Sequence, residues 1–412
     1  MRKSTATLAA LGAAAALVLS ACSSSGGGGS NTTAPNTGTN SSGNSGSSGN
    51  VTAACKLTNP PTSGAKAPST GKTVKVSGNP KVGVILPDTT SSTRYTLYDA
   101  PLLTKYLSAA GVKPDVQNAQ GDVGKYKQIA QSMIGEGVKV LIMDSIDPSS
   151  GAAVEQTAQK AGVKVIDYDR VNLGGTAPYY VSFDNEDVGK LQAQTLVDCL
   201  NQDHVTNPNI IMMDGGTDVD NNAVLFKKGA HEILDPLQQQ GKLKIVAEQV
   251  VKGWDVQNAA PAFNQALTAS GGNVQGVLAA NDDIANAVIG VLQSNGAAGK
   301  VAVTGQDSGV EGLQNIITGK QSMTVFKNVT LEAQAAAQLA IALIAHKSPQ
   351  SMGMTLTKFN DPEKPSHNIQ ALLLPAQVIT QANVNDVIKA GALTAKEICK
   401  GIQSDCTKLG IK

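Results

Sequence analysis

The stretch that decides the fold, GVKVIDYDRVNLGGTAPYYVSFDNEDVG, spans residues 162–189. Its apolar residues 163–166 are typical of a buried strand, which ends in the charged run DYDR at 167–170. A second apolar strand, residues 179–183, leads into Asp184, which is a good N-cap for the amphipathic run that follows. Two strands therefore carry polar groups to one place at their carboxyl ends, where open α/β sheets bind ligands.

The composition is that of a neutral globular chain with room for two domains. Its 412 residues suffice for two domains of ordinary size, and a hydrophobic content of 41% supports a core. Lys and Arg number 33 against 32 Asp and Glu, so no basic excess favours nucleic acid or an anionic membrane surface. The four histidines show no metal-ligand spacing, and we expect neither a metal nor a cofactor.

The N-terminus is typical of an exported protein. Two basic residues precede an apolar run at 8–19, which is too short to span a bilayer and suits a signal peptide over residues 1–21. The run ends in LSAC, which resembles a bacterial lipobox and implies a lipid on Cys22; a plain secretory signal is the alternative. Ser-, Gly- and Asn-rich sequence follows, so residues 22–75 are predicted to form a flexible tether on the outer face of the cell membrane.

Export also changes the interpretation of the other cysteines. Cys55, Cys199, Cys399 and Cys406 are an even set in an oxidising compartment, so disulfides are expected, with four free thiols as the alternative. Four cysteines allow three pairings. Cys399 with Cys406 closes a short loop and is favoured, which leaves Cys55 with Cys199. Residues 396–412 are then a cysteine-bearing tail.

From residue 81 onward, strand and helix patterns alternate. Apolar runs at 82–87, 138–144 and 163–166 are separated by helical patterns, which indicates a parallel, doubly wound sheet that ends near residue 183. The pattern then restarts and continues to a last apolar run at 369–380. We therefore predict an α/β fold of two doubly wound parallel-sheet domains, with a cleft between them that favours a small ligand.

Polar side chains follow nearly every predicted strand. Carboxylates and amides pair with vicinal hydroxyls, arginine offers a planar fork, and an aromatic face suits the C–H face of a sugar ring. The charges balance, which suits an uncharged ligand, although each residue taken alone is better explained as a solvated turn residue or a helix cap. The candidates are Arg94, Tyr95, Asp169, Arg170, Asp220, Asn222, Trp254, Asn281, Asp307 and Lys327.

Seven segments, in order between about residues 80 and 380, resemble the D-xylose-binding branch of the substrate-binding proteins of ABC sugar importers. This branch belongs to the type I ribose/galactose-binding superfamily. The segments are YDR (168–170), YVSFDNEDVGKLQAQTLVD (180–198), GGTDVDNNAVLFKKGA (215–230), GW (253–254), AND (280–282), VTGQD (303–307) and MTVFK (323–327).

The resemblance implies a role for most of the candidates. Trp254 matches a stacking tryptophan, and Arg94 with Tyr95 matches an arginine–aromatic pair whose aromatic residue is usually tryptophan. Tyr95 and its longer loop, PDTTSST at 87–93, therefore bear on the preference between pentose and hexose. The positions that bind sugar by hydrogen bonds match Arg170, Asp220, Asn222, Asn281, Asp307 and Lys327.

The resemblance also implies a mechanism, in which two domains close about a hinge of three crossings and a permease recognises the closed form. The crossings are expected near 183–185, 306–308 and 347–352. The expected domains are residues 76–184 with 308–348 and residues 185–307 with 349–395.

The expected function is that of a monomeric binding protein that delivers D-xylose to an ABC permease. Glucose, ribose or arabinose, for transport or chemosensing, is the alternative ligand. An enzyme is disfavoured because no G-x-G-x-x-G follows a strand and no carboxylate pair stands out. A sugar-responsive repressor is disfavoured by the signal peptide and by the lack of a helix-turn-helix segment.

Overall fold

The computed structural model describes residues 51–64, 68–72 and 74–412, so the predicted signal peptide and Cys22 lie outside it. The strands are β1 (Lys81–Leu86), β2 (Lys113–Asn118), β3 (Val140–Met143), β4 (Lys164–Tyr168), β5 (Tyr179–Phe183), β6 (Asn209–Asp214), β7 (Lys244–Val250), β8 (Gly276–Ala279), β9 (Ala302–Val303), β10 (Met323–Phe326), β11 (Thr357–Asn360), β12 (Asn368–Leu374) and β13 (Gln377–Thr380). The helices are α1 (Ala100–Ala109), α2 (Val123–Gly135), α3 (Pro148–Lys160), α4 (Asn185–Gln202), α5 (Asn221–Gln239), α6 (Ala259–Ala269), α7 (Asp282–Ser294), α8 (Val310–Ile317), α9 (Val329–Ile344), α10 (Asn385–Lys389), α11 (Ala395–Ile398) and α12 (Gln403–Lys408).

The N-terminal lobe is built on a seven-stranded sheet in the order β11-β12-β5-β4-β3-β1-β2, in which only β11 runs antiparallel to its neighbour. Strand residues alternate between the two faces of this sheet. Val82, Val84 and Leu86 therefore pack with α1 and α9, whereas Ile85 packs with α2 and α3. Helices on both faces make this a doubly wound sheet.

The C-terminal lobe repeats the plan with the parallel order β7-β6-β8-β9. Ile210 and Met212 face α4 and α5, while Ile211 and Met213 face α6 and α7. A parallel bridge between Gln306 and Val325 extends this sheet to the antiparallel pair β10 and β13. The predicted fold class, two parallel α/β domains joined by three crossings, is confirmed.

Three helices of this lobe begin with a capping residue from the segment that follows a strand. Asp184, Asp220 and Asn281 cap α4, α5 and α7, and their side chains accept N–H bonds of 3.2, 2.8 and 2.9 Å from inside each helix. Because a cap must lie at the helix start, each of these residues has a fixed position between a strand and the helix that follows it.

Two of the three predicted crossings are wrong. The first, between Phe183 and Asn185, lies as expected, but the others lie at 326–329 and 374–377. The chain does not cross near 306–308, because the Gln306–Val325 bridge keeps β10 in the C-terminal lobe. Nor does it cross near 347–352, because β12 pairs with β5. Residues 308–326 thus belong to the C-terminal lobe, and most of 349–374 to the N-terminal lobe.

The last part of the predicted flexible tether is folded onto the lobes. Ala53 and Cys55 are buried, Thr62 pairs with β13, and Thr70 pairs with Met354. Gly64 donates its N–H to Asp187 on α4 at 3.0 Å. The segment therefore runs from the C-terminal lobe to the N-terminal lobe, held at each end by hydrogen bonds.

Cys55 is bonded to Cys199 on α4, and Cys399 to Cys406, which are the pairs that the sequence favours. The tail is part of the core, because Ile398 and Cys406 pack with α8 and β13.

Candidate ligand site

A small cavity of about 20 Å³ lies between the two lobes. Its walls contain all ten candidate side chains. The N-terminal lobe supplies Arg94, Tyr95, Asp169 and Arg170; the C-terminal lobe supplies Asp220, Asn222, Trp254, Asn281 and Asp307; and Lys327 comes from the second crossing.

Sequence reasoning missed four residues that also line this cavity: Ser91, Ser92, Phe226 and Gln306. Two of them carried a usable signal. Phe226 lies one helical turn after Asn222 on α5, so the two share a helix face. Gln306 directly precedes Asp307, in the segment after β9.

Arg94 is held by three carboxylates. Its Nε and Nη2 donate to Asp99 at 3.0 and 2.8 Å, its Nη1 donates to Asp169 at 3.0 Å, and Nη2 lies 2.5 Å from Glu332. The hydroxyl of Tyr95 donates to the other oxygen of Asp169 at 3.2 Å. Burial opposes ionisation of Asp169, but Arg94 and two further cations hold its pKa below the ordinary value. Asp169 is thus a fixed carboxylate at the cavity wall.

Arg170 joins the two lobes electrostatically. Its Nε lies 3.5 Å from Asp220 of the C-terminal lobe and 3.7 Å from Asp144, which follows β3. Its Nη1 donates to the carbonyl of Ser145 at 3.2 Å and its Nη2 to the hydroxyl of Ser91 at 3.1 Å. Burial raises the pKa of Asp144 well above its ordinary range. The planar guanidinium therefore stays in one orientation beside the cavity.

Lys327 brings a third cation to the cavity from the second crossing. Its Nζ lies 3.1 Å from Asp307 and about 6 Å from the ring centres of Phe183 and Phe226. Burial works against the charged form, yet Asp307 and Asp169 raise the pKa of Lys327 above its ordinary value. The ammonium is therefore charged at neutral pH.

Trp254 forms the aromatic wall of the C-terminal lobe. Its indole Nε1 donates to Asp220 at 3.1 Å, and its ring meets Phe226 edge-on with centroids 6.4 Å apart. A Cβ at Gly215 or Gly216 would overlap with Trp254, so the two glycines let the indole lie directly on the loop. Burial raises the pKa of Asp220, and Arg170 partly offsets that effect.

Hydrogen bonds cross the cleft directly. Asn222 Nδ2 donates to the carbonyl of Asp169 at 2.8 Å, and Asn281 Nδ2 donates to the carbonyl of Ser91 at 3.3 Å. Both bonds require the lobes to meet, so the structure represents a closed arrangement.

The cavity combines three cationic and three anionic side chains with amides and aromatic rings. This set can bind a neutral, hydroxyl-rich molecule through paired donors and acceptors. Within the described residues, no group of three or more His, Cys, Asp or Glu side chains is arranged to hold a metal ion. No helix in the described part of the chain is both long and apolar enough to cross a membrane.

Two α/β lobes that close over such a cavity define a type I binding protein. The model of the periplasmic binding protein domain matches residues 82–348, and the chain belongs to this family. The chain is 36% identical to the D-xylose-binding periplasmic protein of Escherichia coli K12 over 294 residues, which are 71% of this chain and 85% of that protein. It is 33% identical to the multiple sugar-binding periplasmic receptor ChvE of Rhizobium radiobacter over 282 residues, which are 65% and 79% of the two chains.

A solved structure shows the same fold. The carbohydrate transporter solute binding protein of Chloroflexus aurantiacus, in complex with D-glucose, superposes with a TM-score of 0.69 at 30% identity. The match covers 77% of this chain and 97% of that one. The family and these relatives are binding proteins of sugar transport, so the enzyme alternative is set aside.

Proposed function

We propose that this protein binds a monosaccharide, D-xylose, in the interlobe cavity and delivers it to an ABC-type importer. The observation that carries the proposal is the composition of the cavity wall, in which both lobes supply hydrogen-bonding groups of balanced charge. Trp254, Phe226 and Tyr95 add aromatic surface for the C–H face of a sugar ring. The 36% identity to a D-xylose-binding protein supports the choice of sugar.

Delivery would follow from hinge closure. A sugar that contacts both lobes binds the closed form better and so shifts the population toward it. The closed monomer then presents the surface that the permease subunits recognise.

A second candidate is a different monosaccharide, such as glucose, ribose or arabinose. Tyr95 stands where the family usually has tryptophan, and its hydroxyl is bound to Asp169, which changes the wall that the sugar ring faces. The names of two relatives, a multiple sugar receptor and a protein in complex with D-glucose, also favour this candidate.

Calorimetry on the purified protein tests the proposal, after unfolding and refolding to remove any sugar that co-purifies. The titrants are D-xylose, D-ribose, L-arabinose, D-glucose and D-galactose. Tight one-to-one binding of D-xylose alone is the expected result. Preference for another sugar selects the second candidate, and no binding to any of them overturns both.

We also propose that the protein is anchored by a lipid on Cys22 at the outer face of the membrane. The supporting feature is the LSAC sequence at the end of the apolar run. Cys22→Ser should move the protein from the membrane fraction to the soluble exported fraction. Unchanged membrane attachment would rule out the anchor.

A further inference from the structure

Asp169 has an unusual backbone for a residue that lies at the ligand cavity. It directly follows β4 with a φ of 58°, in the left-handed region that favours glycine. Aspartate tolerates this region better than most residues, but such a conformation persists only where the surroundings enforce it. Since its carboxylate must meet both Arg94 and Tyr95, the backbone conformation decides where the carboxylate points.

The carbonyl of Asp169 has an unusual number of donors around it. The hydroxyl of Ser182 donates to it at 2.8 Å, and the hydroxyl of Tyr180 lies 3.0 Å away. Both side chains come from the neighbouring strand β5 and are buried. The third donor, Asn222 Nδ2 at 2.8 Å, belongs to the opposite lobe.

The hydroxyl of Tyr180 has a single proton and two acceptors in reach. It lies 3.0 Å from the carbonyl of Asp169 and 3.0 Å from Oδ1 of Asn222. Asn222 Oδ1 also accepts from Asn185, the first residue of α4, at 2.8 Å. One connected set of hydrogen bonds therefore links the first crossing to the Asp169 peptide, and both ends of the Asn222 amide contact protein.

We propose that Tyr180 and Ser182 are positioning residues for the ligand site, because they hold the Asp169 peptide in its left-handed conformation and so aim its carboxylate into the cavity. Neither side chain lines the cavity, but both contact the carbonyl of Asp169, and Tyr180 also contacts Asn222. Asn222 adds the third bond only when the lobes meet, which couples closure to the same peptide. This inference rests on the proposed sugar site.

Tyr180→Phe tests the proposal, with Tyr179→Phe as the matched control. Tyr179 is the preceding residue on β5, and its side chain packs with the cluster on the opposite sheet face. Removing a buried hydrogen bond that orients a binding group should weaken sugar affinity roughly tenfold. The control should bind as the wild type does, and melting temperatures of the sugar-free proteins are measured in parallel. Ser182→Ala should weaken binding in the same direction.

A double-mutant cycle with Asp169→Asn separates positioning from a general structural effect. Titrations extend to high sugar concentration so that weak binding is still measured. If Tyr180 acts through Asp169, Tyr180→Phe should cost much less affinity in the Asp169→Asn background than in the wild type. An equal loss in both backgrounds, or unchanged affinity of Tyr180→Phe, overturns the inference. Failure of the wild type to bind any sugar would instead count against the proposed function.

Discussion

Trp254 is the residue whose contribution to binding is most easily isolated, because it is the only tryptophan in the chain. We expect Trp254→Ala to weaken sugar binding by about 1–3 kcal/mol, since an aromatic wall of the cavity is lost. Trp254→Phe keeps an aromatic ring but loses the hydrogen bond to Asp220, so it should show a smaller loss. Calorimetry gives the affinities, and thermal melting of the sugar-free variants reports the effect on folding. Unchanged affinity would remove Trp254 from the site.

Asp282 is one of the buried carboxyl groups expected to make stability depend on pH. It is buried and accepts hydrogen bonds from Gly309 and Gln321 at 2.9 and 2.8 Å, and burial raises its pKa from 3.8 to about 8. Because the folded-state pKa is the higher one, its bound proton stabilises the fold. That contribution is fully present below about pH 4 and is lost as the pH rises to about 8.

Asp282→Asn should therefore flatten the decline of the free energy of unfolding between pH 5 and 7. The slope of the free energy of unfolding against pH should differ between wild type and variant by close to 1.4 kcal/mol per pH unit, which corresponds to roughly one bound proton. Urea unfolding at a series of pH values measures it. The exposed Glu136→Gln controls for loss of a negative charge, and parallel curves for Asp282→Asn and wild type would contradict the expectation.

At the scale of elements, α9 packs closely on the N-terminal sheet because its inward face is mostly alanine. Ala333, Ala336 and Ala340 are fully buried against the cluster that contains β1 and β5. Ala336→Leu should lower the free energy of unfolding by about 1–3 kcal/mol, since a well-packed core has no room for three further carbons. Gln334→Leu, at a half-buried position of the same helix, is the control. Equal losses of the free energy of unfolding in the two variants would show that α9 does not pack closely on the sheet at Ala336.

The elements also show what the sequence can and cannot predict. Parallel strands and their helices repeat a local pattern of apolar periodicity, so the fold class and the strand-end residues of the cavity follow from sequence. The crossings depend on which distant strands pair. Residues 369–380 form one apolar run, yet Pro375 separates β12 from β13, which lie in different lobes.

The cavity residues likewise divide into those whose position the sequence predicts and those whose position it does not. Arg170 lies two residues after β4 and Asp307 four residues after β9, so their positions close to strand ends are predictable. Ser91 and Ser92 lie in a loop without a motif, and their place in the cavity depends on contacts such as that between Ser91 and Asn281 of the other lobe. Contacts between residues of different lobes are not marked by any local sequence pattern, so the sequence alone does not predict them.

At the scale of the whole molecule, the two disulfides should contribute unequally to stability. Cys55 and Cys199 are 144 residues apart, whereas Cys399 and Cys406 are 7 apart. A cross-link that closes a longer loop restricts the unfolded chain more. The chain-entropy relation gives about 5 kcal/mol for the first bond and about 2.5 kcal/mol for the second.

The double variant Cys55→Ser/Cys199→Ser should therefore lose about twice the free energy of unfolding that Cys399→Ser/Cys406→Ser loses, as measured by urea unfolding.

The Cys55–Cys199 bond has a second effect in the folded state, because it fixes the segment that runs from the C-terminal lobe to β1. On either side of Cys55, the N–H of Thr52 donates to Asp203, the residue after α4, at 2.7 Å, and the N–H of Lys56 donates to Gln202, the last residue of α4, at 3.0 Å. Loss of the bond should thus raise amide exchange at residues 51–57, while the tail variant leaves that exchange unchanged. Equal losses of stability would mean that the unfolded chain does not behave as the loop-closure relation assumes.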